Sequence, residues 1–168
     1  RSTRKESSAA SDVYKRQYLH IPFCRSKCNY CDFLTIIPNN RQKIDEYTEY
    51  LLREINILAD DFTDSEIDTI YFGGGTPSLL TSEQIYKILD LIYKKFKVKT
   101  QSEITIEINP ETIDQNWIRN LKKSGVNRAS IGFQNSNQEI LDLIGRKSTL
   151  KMFLDTCLLY TSDAADDS

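Results

Sequence analysis

The chain has 168 residues, with 22 Lys and Arg against 24 Asp and Glu, so its formal net charge is −2 at neutral pH. This balance excludes the strongly basic surfaces that are typical of proteins binding nucleic acid or anionic membranes. No apolar run is long enough to span a bilayer, so we predict no transmembrane segment.

The two ends of the chain are related through their coding DNA. The letters SSAASDVYKRQ, residues 7–17, can be encoded by a DNA strand whose reverse complement encodes CLLYTSDAAD, residues 157–166. That DNA resembles a transposase sequencing adapter. We therefore predict that residues 1–17 and 157–168 are adapter-derived, and that residues 18–156 are a truncated native domain. A native tail rich in Ser and Ala is the alternative for the N-terminal segment.

Short apolar runs alternate with amphipathic segments along residues 18–156. Period-two and period-3.6 patterns predict strands at 18–21, 67–72, 103–108 and 128–133, and helices at 41–58, 81–96, 112–124 and 139–144. Thr81 and Gln84 are spaced as a capping box, and Gly125 is placed to end the third helix. Four alternations of strand and helix predict an α/β fold with a parallel sheet. The pattern leaves open a doubly wound sheet and a (β/α) barrel.

Polar or small residues follow every predicted strand. The first strand is followed by three cysteines, the second by residues 73–76 (GGGT), the third ends at Glu107, and the fourth ends at Gln134. Active sites of both candidate folds lie at the carboxyl ends of parallel strands. Four such placements in succession predict one shared site.

The cysteines Cys24, Cys28 and Cys31 have the spacing C-x3-C-x2-C. Without Cys157, the native set is an odd number in one loop, which favours a metal site in a reducing, cytoplasmic environment over disulfides. Thiolates suit zinc or iron–sulfur clusters. His20, the only histidine, could complete a Cys3His zinc site, but its place in the first strand favours a packed or supporting role.

Several other residues allow two interpretations. The segment GGGTPS, residues 73–78, is neither a P-loop nor a G-x-G-x-x-G motif, and three consecutive glycines favour close approach of a ligand to the backbone over a simple turn. Glu107 is either a ligand contact or a solvent-facing residue of an edge strand, and Gln134 allows the same two interpretations. Arg146 is either a ligand contact or a solvated cation. Tyr18 and Tyr30 are either ligand contacts or aromatic residues that pack beside a core strand.

Five segments match a known family in order: YLHIPFCRSKCNYCDF, YFGGGTPSLL, TIEINPETI, GVNRASIGFQ and GR. Together they resemble the radical S-adenosylmethionine (radical SAM) superfamily, in the subgroup of HemW-like heme chaperones and oxygen-independent coproporphyrinogen III oxidases. The resemblance implies the N-terminal part of a partial (β/α)6 barrel. It also implies a [4Fe–4S] cluster held by Cys24, Cys28 and Cys31, with SAM on the remaining iron.

The resemblance further implies SAM contacts at Tyr18, Tyr30, Gly74, Gly75, Thr76, Glu107, Gln134 and Arg146. In that assignment residues 74–76 contact the methionine end, Glu107 the ribose hydroxyls, and Arg146 the carboxylate. No catalytic residue is implied apart from the cluster and the SAM site. The chain departs from the family at Asn135-Ser136, where a Ser-Phe pair is usual, and at Ser148, where His is common.

One residue separates the two branches of the subgroup. In the oxidase branch the cysteine loop has the pattern C-x3-C-x2-C-x-C, whereas this chain has Phe33 at the position of the last cysteine. The C-D-F ending resembles the HemW-like branch, which implies heme as a bound group, heme-acceptor proteins and an electron donor as partners, and no coproporphyrinogen oxidation. A coproporphyrinogen III dehydrogenase and a non-catalytic zinc module are the alternatives.

Overall fold

The computed structural model describes residues 15–62 and 66–162, with backbone only at Ser162. Strands and helices alternate along this part of the chain. The strands are β1 (Arg16–Ile21), β2 (Glu66–Gly74), β3 (Lys97–Ile108) and β4 (Arg128–Ile131). The helices are α1 (Gln42–Leu58), α2 (Ser82–Lys95), α3 (Gln115–Lys123), α4 (Gln138–Leu143) and α5 (Leu150–Ser162).

The four strands form one parallel sheet in the order β1-β2-β3-β4. Each crossover therefore moves one position in the same direction, and right-handed connections then place the intervening helices on the same face. A doubly wound sheet reverses direction at a switch point, and none occurs among the described strands. The fold is thus α/β with singly wound βα units, as the first part of a (β/α) barrel requires.

The helix-covered face of the sheet contains the hydrophobic core. Phe72 and Ile106 are fully buried there, among the apolar stripes of the helices. Those stripes follow the predicted helical spacing, with Ile44, Leu51 and Ile55 buried on α1, and Ile85, Ile88, Leu89 and Ile92 buried on α2. Period-3.6 burial on helices and period-two burial on strands thus create a single apolar layer.

Helix ends follow local chemistry. The predicted capping box of α2 is confirmed, since Thr81 Oγ1 accepts from Gln84 N at 3.1 Å and Gln84 Oε1 accepts from Thr81 N at 2.9 Å. The predicted start of the third helix at residue 112 is wrong. A 3₁₀ turn occupies Pro110–Thr112, and α3 begins after Asp114, whose Oδ1 accepts from Trp117 N at 2.8 Å. An N-cap that satisfies an exposed amide decides this boundary.

Other predicted boundaries also shift. The fourth strand stops at Ile131 instead of residue 133, and β3 begins at Lys97, because residues 97 and 98 pair with Glu66 and Ile67 of β2. Helix α5 was not expected. Strand β1 begins with residues 16 and 17, and helix α5 ends with residues 157–162. All of these residues lie in the segments that we predict to be adapter-derived. Residues 1–14 and 163–168 of those segments lie outside the described residues, and the origin of both segments stays a prediction.

No helix in the described part of the chain is long and apolar enough to cross a membrane.

Candidate functional site

The carboxyl ends of the four strands meet around two adjoining cavities. The first has a volume of about 250 Å³ and is lined by Gly75, Thr76, Pro77, Glu107, Ile108, Asn109, Ser130, Gly132, Gln134 and Arg146. The second, of about 180 Å³, has the three cysteines in its wall together with Tyr30, Phe33 and Gly74. Both are lined by Gly75, Thr76, Asn109, Gln134 and Arg146. Each residue predicted to bind the cluster or SAM therefore lines at least one of the two cavities, with Tyr18 as the exception.

The cysteine loop is held at its base and at its tip. At the base, Cys24 N donates to Ile36 O at 3.0 Å and Ile36 N donates to Pro22 O at 2.7 Å. Near the tip, Asn29 donates through N to Ile144 O at 3.0 Å and through Nδ2 to Leu143 O at 2.8 Å. These bonds tie the loop to the end of α4, more than a hundred positions further along the chain, so the thiols have a defined place above the sheet.

The surroundings of Cys24 raise the pKa of its thiol. Burial raises the pKa of Cys24, a hydrogen bond from Thr76 Oγ1 at 3.3 Å opposes that shift, and charge on Cys31 or Cys28 raises the pKa further. Arg146 acts in the opposite direction and lies with Nη1 4.0 Å from Cys28 Sγ. A cation or cationic cluster would relieve the repulsion among thiolates, as metal binding coupled to deprotonation does.

The residues present fit a thiolate-bound group in donor type and in placement. Three soft sulfur donors line one cavity, and the buried Arg146 Nε beside them has no hydrogen-bond partner among the residues that the structure describes. Within residues 15–62 and 66–162, however, no three or more His, Cys, Asp and Glu side chains are already grouped as a metal site. His20 does not complete one: its Nδ1 lies 3.0 Å from Tyr18 Oη, and it lines neither cavity.

The glycine turn is explained by neighbouring protein groups. A Cβ on Gly75 would lie 2.6 Å from Phe23 O and 2.9 Å from Cys24 Sγ, and one on Gly74, where φ is +115°, would lie 2.8 Å from the His20 ring. Contacts this short leave no room for a side chain. The expectation that a ligand accounts for these glycines is therefore not needed, although Gly75 and Thr76 do line both cavities.

Glu107 lies in the interior of the sheet. Its strand, β3, is paired with β2 on one side and β4 on the other, so the alternative of an edge-strand residue is wrong. Glu107 is half-buried, lines the first cavity, and accepts a hydrogen bond from Tyr71 Oη at 2.7 Å. Burial and this bond raise the pKa of Tyr71 to about 12, so the phenol remains a donor at neutral pH.

Arg146 and Gln134, from the segment that follows β4, also line both cavities. Arg146 Nη2 donates to Asn109 Oδ1 at 2.9 Å, which holds the guanidinium between the two cavities. Gln134 has φ of +56°, in the left-handed region where non-glycine residues are uncommon, and it lines both cavities. Because Arg146 is partly buried and hydrogen-bonded to Asn109, the alternative of a freely solvated arginine is wrong.

The two predicted tyrosine contacts differ. Tyr30 lines the cysteine cavity, and its pKa is raised first by burial and next by the nearby Cys28. Tyr18 is about half-exposed and lines neither cavity; its ring stacks on Tyr71 at 6.1 Å between centroids.

Sequence reasoning overlooked Asn109, Ser130 and Tyr71. Asn109 was not singled out in the sequence, although it directly follows Ile108, the last residue of β3, and so lies at the same carboxyl edge as Glu107. Ser130 and Tyr71 occupy the face of the sheet away from the helices, where strand alternation could have placed them once the strands were assigned.

Comparison with known proteins gives a consistent family. The model of the radical SAM superfamily matches residues 18–162. Heme chaperone HemW of Buchnera aphidicola (subsp. Schizaphis graminum) is 42% identical over 129 residues, covering 77% of this chain and 34% of the relative. HemW of Bacillus subtilis is 40% identical over 134 residues, covering 79% and 35%.

Oxidases match the same region. Oxygen-independent coproporphyrinogen III oxidase of Salmonella typhimurium is 35% identical over 130 residues, covering 77% of this chain and 28% of the relative. The solved structure of coproporphyrinogen III oxidase (HemN) from Escherichia coli, titled a radical SAM enzyme, matches with a TM-score of 0.83 at 29% identity, covering 89% of this chain and 35% of that one.

The chain spans about a third of the length of the curated relatives it matches. Its family is nevertheless settled, because the superfamily model covers most of its residues and the fold is that of a solved member. Membership implies a [4Fe–4S] cluster and SAM as cofactors. This chain therefore belongs to the radical SAM superfamily.

Proposed function

We propose that this chain binds a [4Fe–4S] cluster through Cys24, Cys28 and Cys31, binds SAM in the adjoining cavity, and is part of a HemW-like heme chaperone. One observation carries the proposal: the cavity walled by the three thiols opens onto a second, polar cavity, and the two share five lining residues. Bound together, the two groups supply reductive radical chemistry that no side chain offers.

The residues of this chain would orient SAM. Arg146, fixed by Asn109 and retaining an unpartnered Nε, suits a carboxylate, because a guanidinium can donate two parallel hydrogen bonds. Glu107 lines the first cavity but not the cysteine cavity, and its carboxylate can accept from ribose hydroxyls. Gly75 and Thr76 line the same cavity. The remaining proposed contacts are Tyr18, Tyr30, Gly74 and Gln134.

Phe33 favours the chaperone over the oxidase. It lines the cysteine cavity and is 64% exposed, at the position where the oxidase pattern has a further cysteine. An apolar ring here adds no ligand to the cluster, and it leaves the thiol set at three. HemW relatives match at 36–42% identity and oxidases at 34–35% over nearly the same residues. Binding of heme or a porphyrin, and its transfer to acceptor proteins, is proposed for the whole protein.

The cluster assignment is tested by anaerobic reconstitution with iron and sulfide. We expect about four iron and four sulfide per chain, with thiolate-to-iron absorption. Cys28→Ala should abolish cluster formation, because only two thiols remain in the cavity. Cys157→Ala is the matched control, since this cysteine lies in α5 and outside both cavities, and it should retain the full cluster. Bound zinc without sulfide, or an intact cluster in Cys28→Ala, would contradict the proposal.

The choice between chaperone and oxidase needs a separate experiment. Hemin is titrated into the reconstituted protein while the Soret band is followed, and coproporphyrinogen III is supplied with SAM and a reductant in parallel. We expect a saturable Soret shift and no decarboxylated porphyrinogen. Decarboxylation of the substrate would instead identify an oxidase, and absence of any Soret change would remove heme from the proposal for this chain.

A further inference from the structure

We propose that Tyr71 is a positioning residue for the SAM site: its hydroxyl fixes the carboxylate of Glu107 at the wall of the 250 Å³ cavity. This inference rests on the proposed function, in which Glu107 accepts from the ribose. Tyr71 itself lines neither cavity, so it acts through Glu107 and not by touching the ligand.

The hydrogen bond is short and charge-assisted. Tyr71 Oη donates to Glu107 Oε1 at 2.7 Å, within the range for a hydroxyl bonded to a carboxylate. Ser130, another wall residue of the cavity, interacts with the same phenol and lowers its pKa, opposing the effect of Glu107. A carboxylate held by one oxygen loses most of its rotational freedom before a ligand arrives. Pre-organisation of this kind improves affinity by removing part of the ordering cost of binding.

The position of the phenol is fixed by its ring. Tyr71 stacks on Tyr18, with centroids 6.1 Å apart and planes inclined by 20°. The two rings lie over Gly73, where a Cβ would come within 2.7 Å of Tyr71 Cε1 and 2.9 Å of Tyr18 Cε2. Gly73 has no positive φ to explain it. The missing side chain at this position makes room for the ring pair, which in turn sets the hydroxyl opposite Glu107.

A structural role alone does not account for the hydroxyl. Tyr71 is on the face of the sheet away from the helices and is absent from the hydrophobic core cluster. A phenylalanine would preserve the ring stack. Among the described residues the hydroxyl donates to Glu107, which lines the cavity, and interacts with Ser130, which lines it as well.

The test is a double-mutant cycle on SAM affinity, measured by anaerobic calorimetry with the reconstituted 168-residue protein. Tyr71→Phe should weaken SAM binding about tenfold, since a hydrogen bond to a charged group is lost. In a Glu107→Ala background, which removes the acceptor itself, the same substitution should change the affinity less than twofold. Tyr50→Phe, an exposed tyrosine of α1, is the matched control and should bind SAM like the unaltered protein.

Cluster content and the melting temperature are measured for each variant, so that misfolding is recognised. Gly73→Ala provides a second variant that keeps both hydroxyls but displaces the rings, and it should weaken SAM binding in the same Glu107-dependent way. Equal SAM affinity in Tyr71→Phe and the unaltered protein, or fully additive effects with Glu107→Ala, would overturn the inference and leave the proposed function standing. Absence of SAM binding by the unaltered reconstituted protein would overturn both.

Discussion

Neighbouring residues of one strand point to opposite faces of the sheet, and the interactions on the two faces differ. On β2, Phe72 points into the helix layer and is fully buried, whereas Tyr71 points the other way, is half-buried and hydrogen-bonds Glu107. The helix face is held by non-directional burial of apolar area. The opposite face is held by directional bonds between polar side chains. The comparison teaches that stability and site geometry are largely separated by strand alternation.

The largest effect should come from the helix face. Phe72→Ala removes a ring that is fully buried among the helices and leaves a cavity, so we expect the free energy of unfolding to fall by about 3–5 kcal/mol. Tyr71→Phe, one residue away on the opposite face, should cost about 1 kcal/mol. Urea denaturation of the two variants measures both values. Equal losses would show that the two faces are not separated in this way.

An intermediate effect should come from the glycine turn, where the two faces end. Gly75→Ala places a methyl group 2.6 Å from Phe23 O and 2.9 Å from Cys24 Sγ, and the backbone must move to accept it. We expect a loss of about 1–3 kcal/mol in the free energy of unfolding and incomplete cluster reconstitution.

Gly132→Ala is its control. The nearest atom there is Gln134 Nε2 at 3.0 Å, at the end of a side chain that can move aside. This variant should reconstitute its cluster fully. A Gly75→Ala variant with unchanged stability and a full cluster would show that the turn is less crowded than its contacts indicate.

The smallest effect concerns pH and the polar face alone. The folded pKa of Tyr71 is raised from 10.0 to about 12, chiefly by burial, so its contribution to stability is complete below pH 10 and is lost as the pH rises from 10 to about 12. The unaltered protein should therefore lose more stability over this interval than Tyr71→Phe. Urea midpoints of both proteins across the alkaline range measure the difference in stability. The other tyrosines are present in both proteins, so their titration cancels in this difference. Parallel pH curves for the two proteins would contradict the bond between Tyr71 and Glu107.

Sequence reasoning succeeded where a signal is local. The stripes of α1 and α2, the capping box at Thr81 and the cysteine loop all depend on residues a few positions apart, whose spacing can be read directly. It was less successful for the start of β3. The residues KVKTQS, 97–102, carry little apolar alternation, and Lys97 and Val98 become a strand because β2 offers them a pairing edge.

The site shows the same division. Cys24, Cys28, Cys31, Glu107, Gln134 and Arg146 could be named because they follow predicted strands or match a family pattern. The contributions of Asn109 and Tyr71 could not, because they depend on the partner that each side chain meets. Asn109 holds Arg146 from 37 positions away, and Tyr71 holds Glu107 from 36. Period and spacing say nothing about such distant partners.

The amino-acid sequence by itself thus determined the alternation of strands and helices, the donor chemistry of three thiols, and the polar character of the strand ends, since all of these are properties of residues and their neighbours along the chain. Tertiary structure decided the sequential strand order, the anchoring of the cysteine loop to the end of α4, and the pairing of Tyr71 with Glu107. Those features require pairing between segments that are far apart in the sequence. Burial of the apolar residues on the helix face sets the register of the strands, and that register also fixes which polar side chains meet on the opposite face.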